Sequence, residues 1–109
     1  MAKYETTLTG DFHEILHRIE DGIIHGSASA TLEDWSNFEL DGVRCSVRVF
    51  ERYSYTGGNR VSMNVTLFGT GNTVHISAIT SGGSQAMFFK INTFGEEAFL
   101  EKIIEILER

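Results

Sequence analysis

Between residues 41 and 83 the chain is punctuated by short glycine turns. Asp41-Gly42 is a two-residue hairpin signal, and Thr56 to Asn59 (TGGN), Gly69 to Asn72 (GTGN) and Gly82-Gly83 follow it. Loops this short make consecutive strands antiparallel neighbours, so this part of the chain is expected to fold as a meander. The runs between the turns alternate in polarity. Val43 to Tyr55 puts Val43, Cys45, Val47, Val49, Tyr53 and Tyr55 on one parity. Arg60 to Phe68 does the same with Val61, Met63, Val65 and Leu67, and Thr73 to Ser81 with Val74, Ile76 and Ala78. These parities are expected to face the core. Gln85 to Asn92 reads as a further strand, with Met87, Phe89 and Ile91 inward.

Two helical patterns require an apolar surface of this kind. Asp11 is placed to cap the first, with Glu14 completing a capping box; Phe12, Ile15, Leu16, Ile19 and Ile23 form its stripe, and Gly26 is placed to end it. Thr93 is placed to cap the second, with Glu96 as its partner and Phe99, Leu100, Ile103, Ile104 and Leu107 as its stripe. Lys3 to Thr9 and Ser27 to Glu33 alternate as strands. Asp34 to Asn37 reads as a turn or bulge anchored by Trp35, after which Phe38 and Leu40 resume the strand. The expected architecture is an α+β two-layer sandwich. It has an antiparallel meander sheet of five to six strands with two helices on one face, in the order β-α-β-β-β-β-β-α. With neither linker nor repeat, residues 1–109 read as a single domain. The element order is similar to that of helix-grip and TATA-box-binding-protein-like domains. Those folds host ligand binding, enzymes and interaction modules alike, so the similarity implies no function.

Cys45 is the only cysteine, which excludes an intramolecular disulfide and points to a reducing cytoplasm. The N-terminal MAKYETTLTGDF has no apolar h-region, and no apolar run approaches the ~20 residues that span a membrane. The net charge of −6 disfavours nucleic acid as a partner. That charge is divided unevenly: residues 43–95 carry +4 and the remainder −10, so the base lies on the strands of that stretch and the acid largely on the helices and the N-terminal third.

The outward parities carry Arg44, Ser46, Arg48, Phe50 and Arg52, then Arg60, Ser62, Asn64, Thr66 and Phe68, then Thr73, His75, Ser77 and Ile79, with Phe88 from the last run. Large apolar residues beside arginines on a wet face suggest a covered surface. Arg48, Phe50, Arg52, Phe68, Ile79 and Phe88 are therefore the candidate interface, with a second copy of the chain as the simplest partner, giving a homodimer. The alternative is that these side chains tuck under loops, or that a bulge reverses the parity.

The sharpest chemical motif is His13-Glu14-Ile15-Leu16-His17, a match to HExxH. Histidines at i and i+4 on a helix can hold zinc, with the glutamate as general base. A third ligand is needed, and neither His25 nor His75 has the spacing of the longer zinc-protease signatures. His13 and His17 are therefore expected to be ordinary surface side chains. The Ser81-Gly82-Gly83-Ser84 loop can form an anion nest, but hairpin chemistry explains it better. Cys45 is expected to be a buried, inert thiol. The small residues Ala28, Ala30 and Ala78 can leave room for an apolar ligand between helices and sheet, unless the helices close the gap. No catalytic residue, bound metal or cofactor is expected.

The stretches DGVRCSVRVFERYSYTGG from Asp41, ERYSYTGGNRVSMNVTLF from Glu51 and ITSGGSQAMFFKINTFGEEAFL from Ile79 carry a resemblance. Through them nearly the whole chain resembles a bacterial family of small Firmicutes proteins classed as a domain of unknown function. The resemblance implies no activity and transfers no site residue. The expectation is a non-enzymatic cytoplasmic domain that self-associates, or binds a protein partner, through the outer sheet face. A small apolar-ligand binder is the alternative, and a zinc hydrolase built on His13, Glu14 and His17 the remote one.

Overall fold

A computed structural model describes residues 1–53, 60–82 and 89–108, with the side chains described outside 89–94. The chain forms strand β1 (Ala2–Thr9), helix α1 (Phe12–Gly26), strands β2 (Thr31–Leu40), β3 (Val43–Tyr53), β4 (Arg60–Thr70) and β5 (Thr73–Gly82), and helix α2 (Phe89–Leu107). The fold is α+β, with five antiparallel strands in one sheet and two helices. The sheet order is β1-β5-β4-β3-β2. Strands β2 to β5 are the expected meander, and β1 returns to pair along β5, from Ala2 opposite Thr80 to Thr9 opposite Thr73.

The turns follow from their residues. Asp41 and Gly42 both have positive φ, 51° and 80°, and join Leu40 to Val43. A two-residue turn of this hand matches the strand twist. Gly71 (φ 59°) and Asn72 join Thr70 to Thr73 in a second two-residue turn, in which the glycine has positive φ and Asn72 does not. The Asn72 carbonyl then accepts from the Gly10 N–H at 2.8 Å, which ties the β1–α1 junction to this turn. At the start of α1 the Asp11 carboxylate accepts from the Glu14 N–H at 3.0 Å, as a cap should.

Phe12, Ile15, Leu16, Ile19 and Ile23 of α1 and Phe99, Leu100, Ile103, Ile106 and Leu107 of α2 join one core cluster. The sheet contributes Val61, Met63, Val65 and Leu67 of β4 and Val74, Ile76 and Ala78 of β5. The C-terminal turn of α2 is also fastened to β1, because the Tyr4 hydroxyl donates to Glu108 Oε2 at 2.6 Å. Burial first, then this bond, raises the Tyr4 phenol above its ordinary 10.0. A raised phenol contributes stability that is complete below pH 10.0 and is lost as the pH climbs past the folded value.

Four expectations need correction. The strand Gln85 to Asn92 is not formed as expected: α2 begins at Phe89, so Phe89–Asn92 are helical, and residues 85–88 lie outside the described residues. The reason is topological, since β1 already occupies the free edge of β5. Thr93 is therefore inside α2 rather than its cap. Glu96 does not serve as its capping partner either. Its Oε2 accepts the Gly82 N–H at 2.6 Å and its Oε1 lies 2.7 Å from the Met1 ammonium, so it joins α2 to the ends of β5 and β1. The second strand starts at Thr31, not Ser27, and passes through Trp35 without a break; its bulge falls between Leu32 and Asp34. Gly26 is the last residue of α1, and Ser27 follows as its C-cap.

The fourth correction concerns β3, whose two faces are exchanged. Ser46, Arg48, Phe50 and Arg52 lie on the helix side, and Phe50 is 0% exposed. Val43, Cys45, Val47 and Val49 lie half-buried on the other side. Each inward β3 residue pairs with an inward β4 residue, Phe50 with Met63 and Arg48 with Val65. A one-residue slip would exchange the whole set. An arginine can occupy an inward position when its stem packs and its head finds acceptors.

Helices α1 and α2 cross closely at Gly22, where an added Cβ would lie 2.6 Å from Ile106 Cγ1. Gly22→Ala would gain about 1 kcal/mol of helix propensity but overpack the crossing by about 1–3 kcal/mol. The expected outcome is a melting temperature lower by a few degrees in scanning calorimetry; a higher one would contradict the close approach.

Candidate functional site

Two surfaces follow from this architecture. The first is the sheet face away from the helices. Cross-strand register builds a row there: Phe38 of β2 opposite Cys45 of β3, Cys45 opposite Phe68 of β4, and Phe68 opposite His75 of β5. Leu40 opposite Val43 forms the adjacent row, and Val47 and Val49 continue along β3. Phe38, Phe68 and Leu40 are 59%, 54% and 73% exposed. Neighbouring side chains on one face lie about 5 Å apart, so these residues form one apolar strip.

Around the strip the face is polar and internally paired. Thr66 Oγ1 donates to Asn64 Oδ1 at 3.0 Å, Ser62 and Ser81 hydroxyls meet at 2.8 Å, and Thr7 Oγ1 meets His75 Nδ1 at 3.0 Å. At one end Arg60 lies 2.7 Å from Glu51 and 3.3 Å from Glu33, with its guanidinium over the Tyr53 ring.

The second surface is a cleft of about 460 Å³ between α1 and the β2–β3 hairpin. Phe12 and Leu16 of α1 form its apolar wall, Asn37, Ser46 and Arg48 its polar side, and His13, His17 and Arg44 its rim. It exists because the helices pack mainly over β1, β5 and β4, leaving the helix-side residues of β2, among them Trp35, exposed.

Arg48 is the central group of this cleft. Its Nε lies 2.6 Å from Glu20 Oε2 on α1, and its Nη1 donates to Asn37 Oδ1 at 2.8 Å and to the Val47 and Ser36 carbonyls. Ser46 Oγ also donates to Asn37 Oδ1, at 2.8 Å. Four residues from three elements therefore interlock beneath α1. Arg52, further along β3, donates from Nη1 to Ser27 Oγ at 2.9 Å, and its guanidinium carbon lies 4.7 Å from the Phe99 ring centroid.

The expected interface residues divide accordingly. Phe68 and Ile79 stand exposed on the outer face. Arg48, Phe50 and Arg52 do not, because they are buried under the helices. Phe88 lies outside the described residues. Sequence reasoning missed Phe38, Leu40, Val43, Val47 and Val49 as outer-face residues. The alternation of Val43, Cys45, Val47 and Val49 was the signal, assigned to the wrong side. Cys45 is likewise half-exposed in the strip rather than buried in the core.

His13 and His17 lie exposed on α1, with His17 Nδ1 3.9 Å from Glu20 and His13 edge-on to Phe12. Among the described residues no three His, Cys, Asp or Glu side chains gather as a metal set, so the HExxH motif lacks its third ligand there. Ala28 is exposed, and none of Ala28, Ala30 and Ala78 lines the cleft. Ser84 of the glycine loop, with Gly83, lies outside the described residues. Among those residues no helix is long and apolar enough to cross a membrane.

The Arg48–Glu20 pair makes a quantitative prediction. The side chains are 8% and 24% exposed, so removing the carboxylate strands a buried cation. Glu20→Ala is expected to cost about 2–3 kcal/mol in urea unfolding, whereas Glu33→Ala, which loses only an exposed partner of Arg60, should cost less than about 1 kcal/mol. Equal losses from both would show that Arg48 does not depend on Glu20.

No curated protein matches the chain. One family model matches it from end to end: the chain belongs to DUF6054, a family of unknown function, over residues 1–109.

Proposed function

We propose that the protein is a non-enzymatic binding module that self-associates through the sheet face opposite its helices. In a two-layer arrangement that face has no covering layer of its own. The observation that carries the reading is the continuous Phe38–Cys45–Phe68 row flanked by Leu40 and Val43, whose large residues are more than half exposed. Contiguous apolar surface of this kind marks an interaction site.

A second copy is the occupant that fits best. The strip Phe38, Leu40, Val43, Cys45, Val47, Val49 and Phe68 holds no ionised residue, so two copies can meet about a two-fold axis without like charges in contact. Asp34, opposite Val49, borders one end of the strip, and Lys3, Glu5, Glu51 and Arg60, of both signs, stand toward other parts of the face. The net charge of −6 opposes association only weakly at physiological salt, where screening acts within ~8 Å. A reducing cytoplasm suits the arrangement, because the half-exposed Cys45 would invite disulfides between chains in an oxidising compartment.

Phe68→Glu places a carboxylate in the middle of the strip while leaving the helix-facing core untouched. Sedimentation is expected to show a wild-type dimer and a folded, monomeric variant. A monomeric wild type at tens of micromolar, roughly the range in which a weak interface of −6 to −7 kcal/mol is populated, would remove the self-association reading.

A further inference from the structure

The cleft between α1 and the β2–β3 hairpin shares Phe38 and Cys45 with the apolar strip, but its α1 wall and Arg48 lie on the helix side, of which the self-association reading makes no use. Its volume of about 460 Å³ is in the range that small ligands occupy. Its lining is also chemically divided. Phe12 and Leu16 offer an apolar wall, and Arg48 a cation, with Arg44 at the rim.

The donor inventory of Arg48 is the informative observation. A guanidinium presents five N–H donors. Nε is taken by Glu20 Oε2, and Nη1 by Asn37 Oδ1 and the Val47 and Ser36 carbonyls. Among the described residues none accepts from Nη2. The side chain is 8% exposed, and Nη2 is not among the buried atoms that lack a partner, so this donor keeps access to solvent and is open to a ligand. Arg48 is among the residues that line the cleft.

We propose that this cleft binds a small organic monocarboxylate with an apolar tail. The ligand carboxylate accepts from Arg48 Nη2, and Arg44 closes over it from the rim. The tail lies against Phe12 and Leu16. The charge of the lining favours one negative charge rather than two. Arg44 and Arg48 are balanced by Glu20 and Glu39, so a phosphate dianion would meet two carboxylates for the same donors. Arg44 is free to shift, since its contact with Glu39 is long, 3.7 Å, and about half exposed. An amine of the same shape would instead face the Arg48 cation.

The probe is phenylacetate, titrated into ¹⁵N-labelled protein and followed by amide chemical shifts, with phenethylamine as the cationic control. Phenylacetate is expected to saturate with a Kd on the order of 1 mM, the affinity expected of a ligand this small. The largest shifts should fall at His13, His17, Asn37, Arg44 and Arg48, with none at Phe68. Arg44→Gln should weaken binding at least several-fold with the fold intact. Arg48→Lys, which keeps the charge but removes Nη2, should abolish it; should that variant not fold, Arg44→Gln carries the test alone. The absence of saturable shifts, equal binding of phenethylamine, or an Arg44→Gln variant that binds like the wild type would each overturn the proposal. Repeating the titration with Phe68→Glu separates the two readings, because cleft binding should survive the loss of a dimer.

Discussion

A guanidinium can lie beneath a helix only if its charge and its donors are met there, and Arg48 satisfies that condition through α1. Glu20 neutralises it at 2.6 Å, and Asn37, held also by Ser46, receives its other edge. This one interaction determines which side of β3 faces the core. Once Arg48 is inward, strand geometry places Phe50 and Arg52 inward with it and Val43, Cys45, Val47 and Val49 outward. The ion pair need not add net stability to act this way. Desolvation of two charges offsets much of their attraction, and what such a pair enforces is geometry.

That inversion produces both candidate surfaces. Sending the valines outward brings Cys45 between Phe38 and Phe68 and creates an apolar strip on the face the helices do not cover. Sending the arginines inward gives the helix side of β3 a polar floor. The helices pack against the apolar β4, β5 and β1 instead, and the β2–β3 hairpin is left overhanging. The cleft is the space beneath that overhang. Packing therefore divides the sheet into a covered half that supplies the core and a half that the helices leave bare.

Much of the fold was legible in the sequence because it depends on local rules. Asp41-Gly42 requires positive φ at both central positions of its turn, Asp11 caps α1, and the 3.6-residue spacing of Ile15, Ile19 and Ile23 demands a buried face. The outer-face positions of Phe68 and Ile79 were legible for the same reason, since β4 and β5 alternate cleanly. Strand β3 was not, because the parity that turns inward, Ser46, Arg48, Phe50 and Arg52, holds one apolar residue in four, whereas the outward one holds the valines. Counting valines against arginines selects the wrong face when the arginines have partners 28 and 25 residues away in Glu20 and Ser27. The final strand failed differently: nothing local in Phe89–Asn92 reveals that β1 already holds the edge of β5.

The sequence by itself thus determined the element types, the turns and the helix stripes, since each rests on neighbours within a few residues along the chain. The tertiary structure alone decided which face of β3 meets the helices, where β1 pairs, and where the sheet remains bare. Those outcomes depend on contacts between residues far apart in the chain, where a buried charge is admitted or refused according to what waits for it on another element.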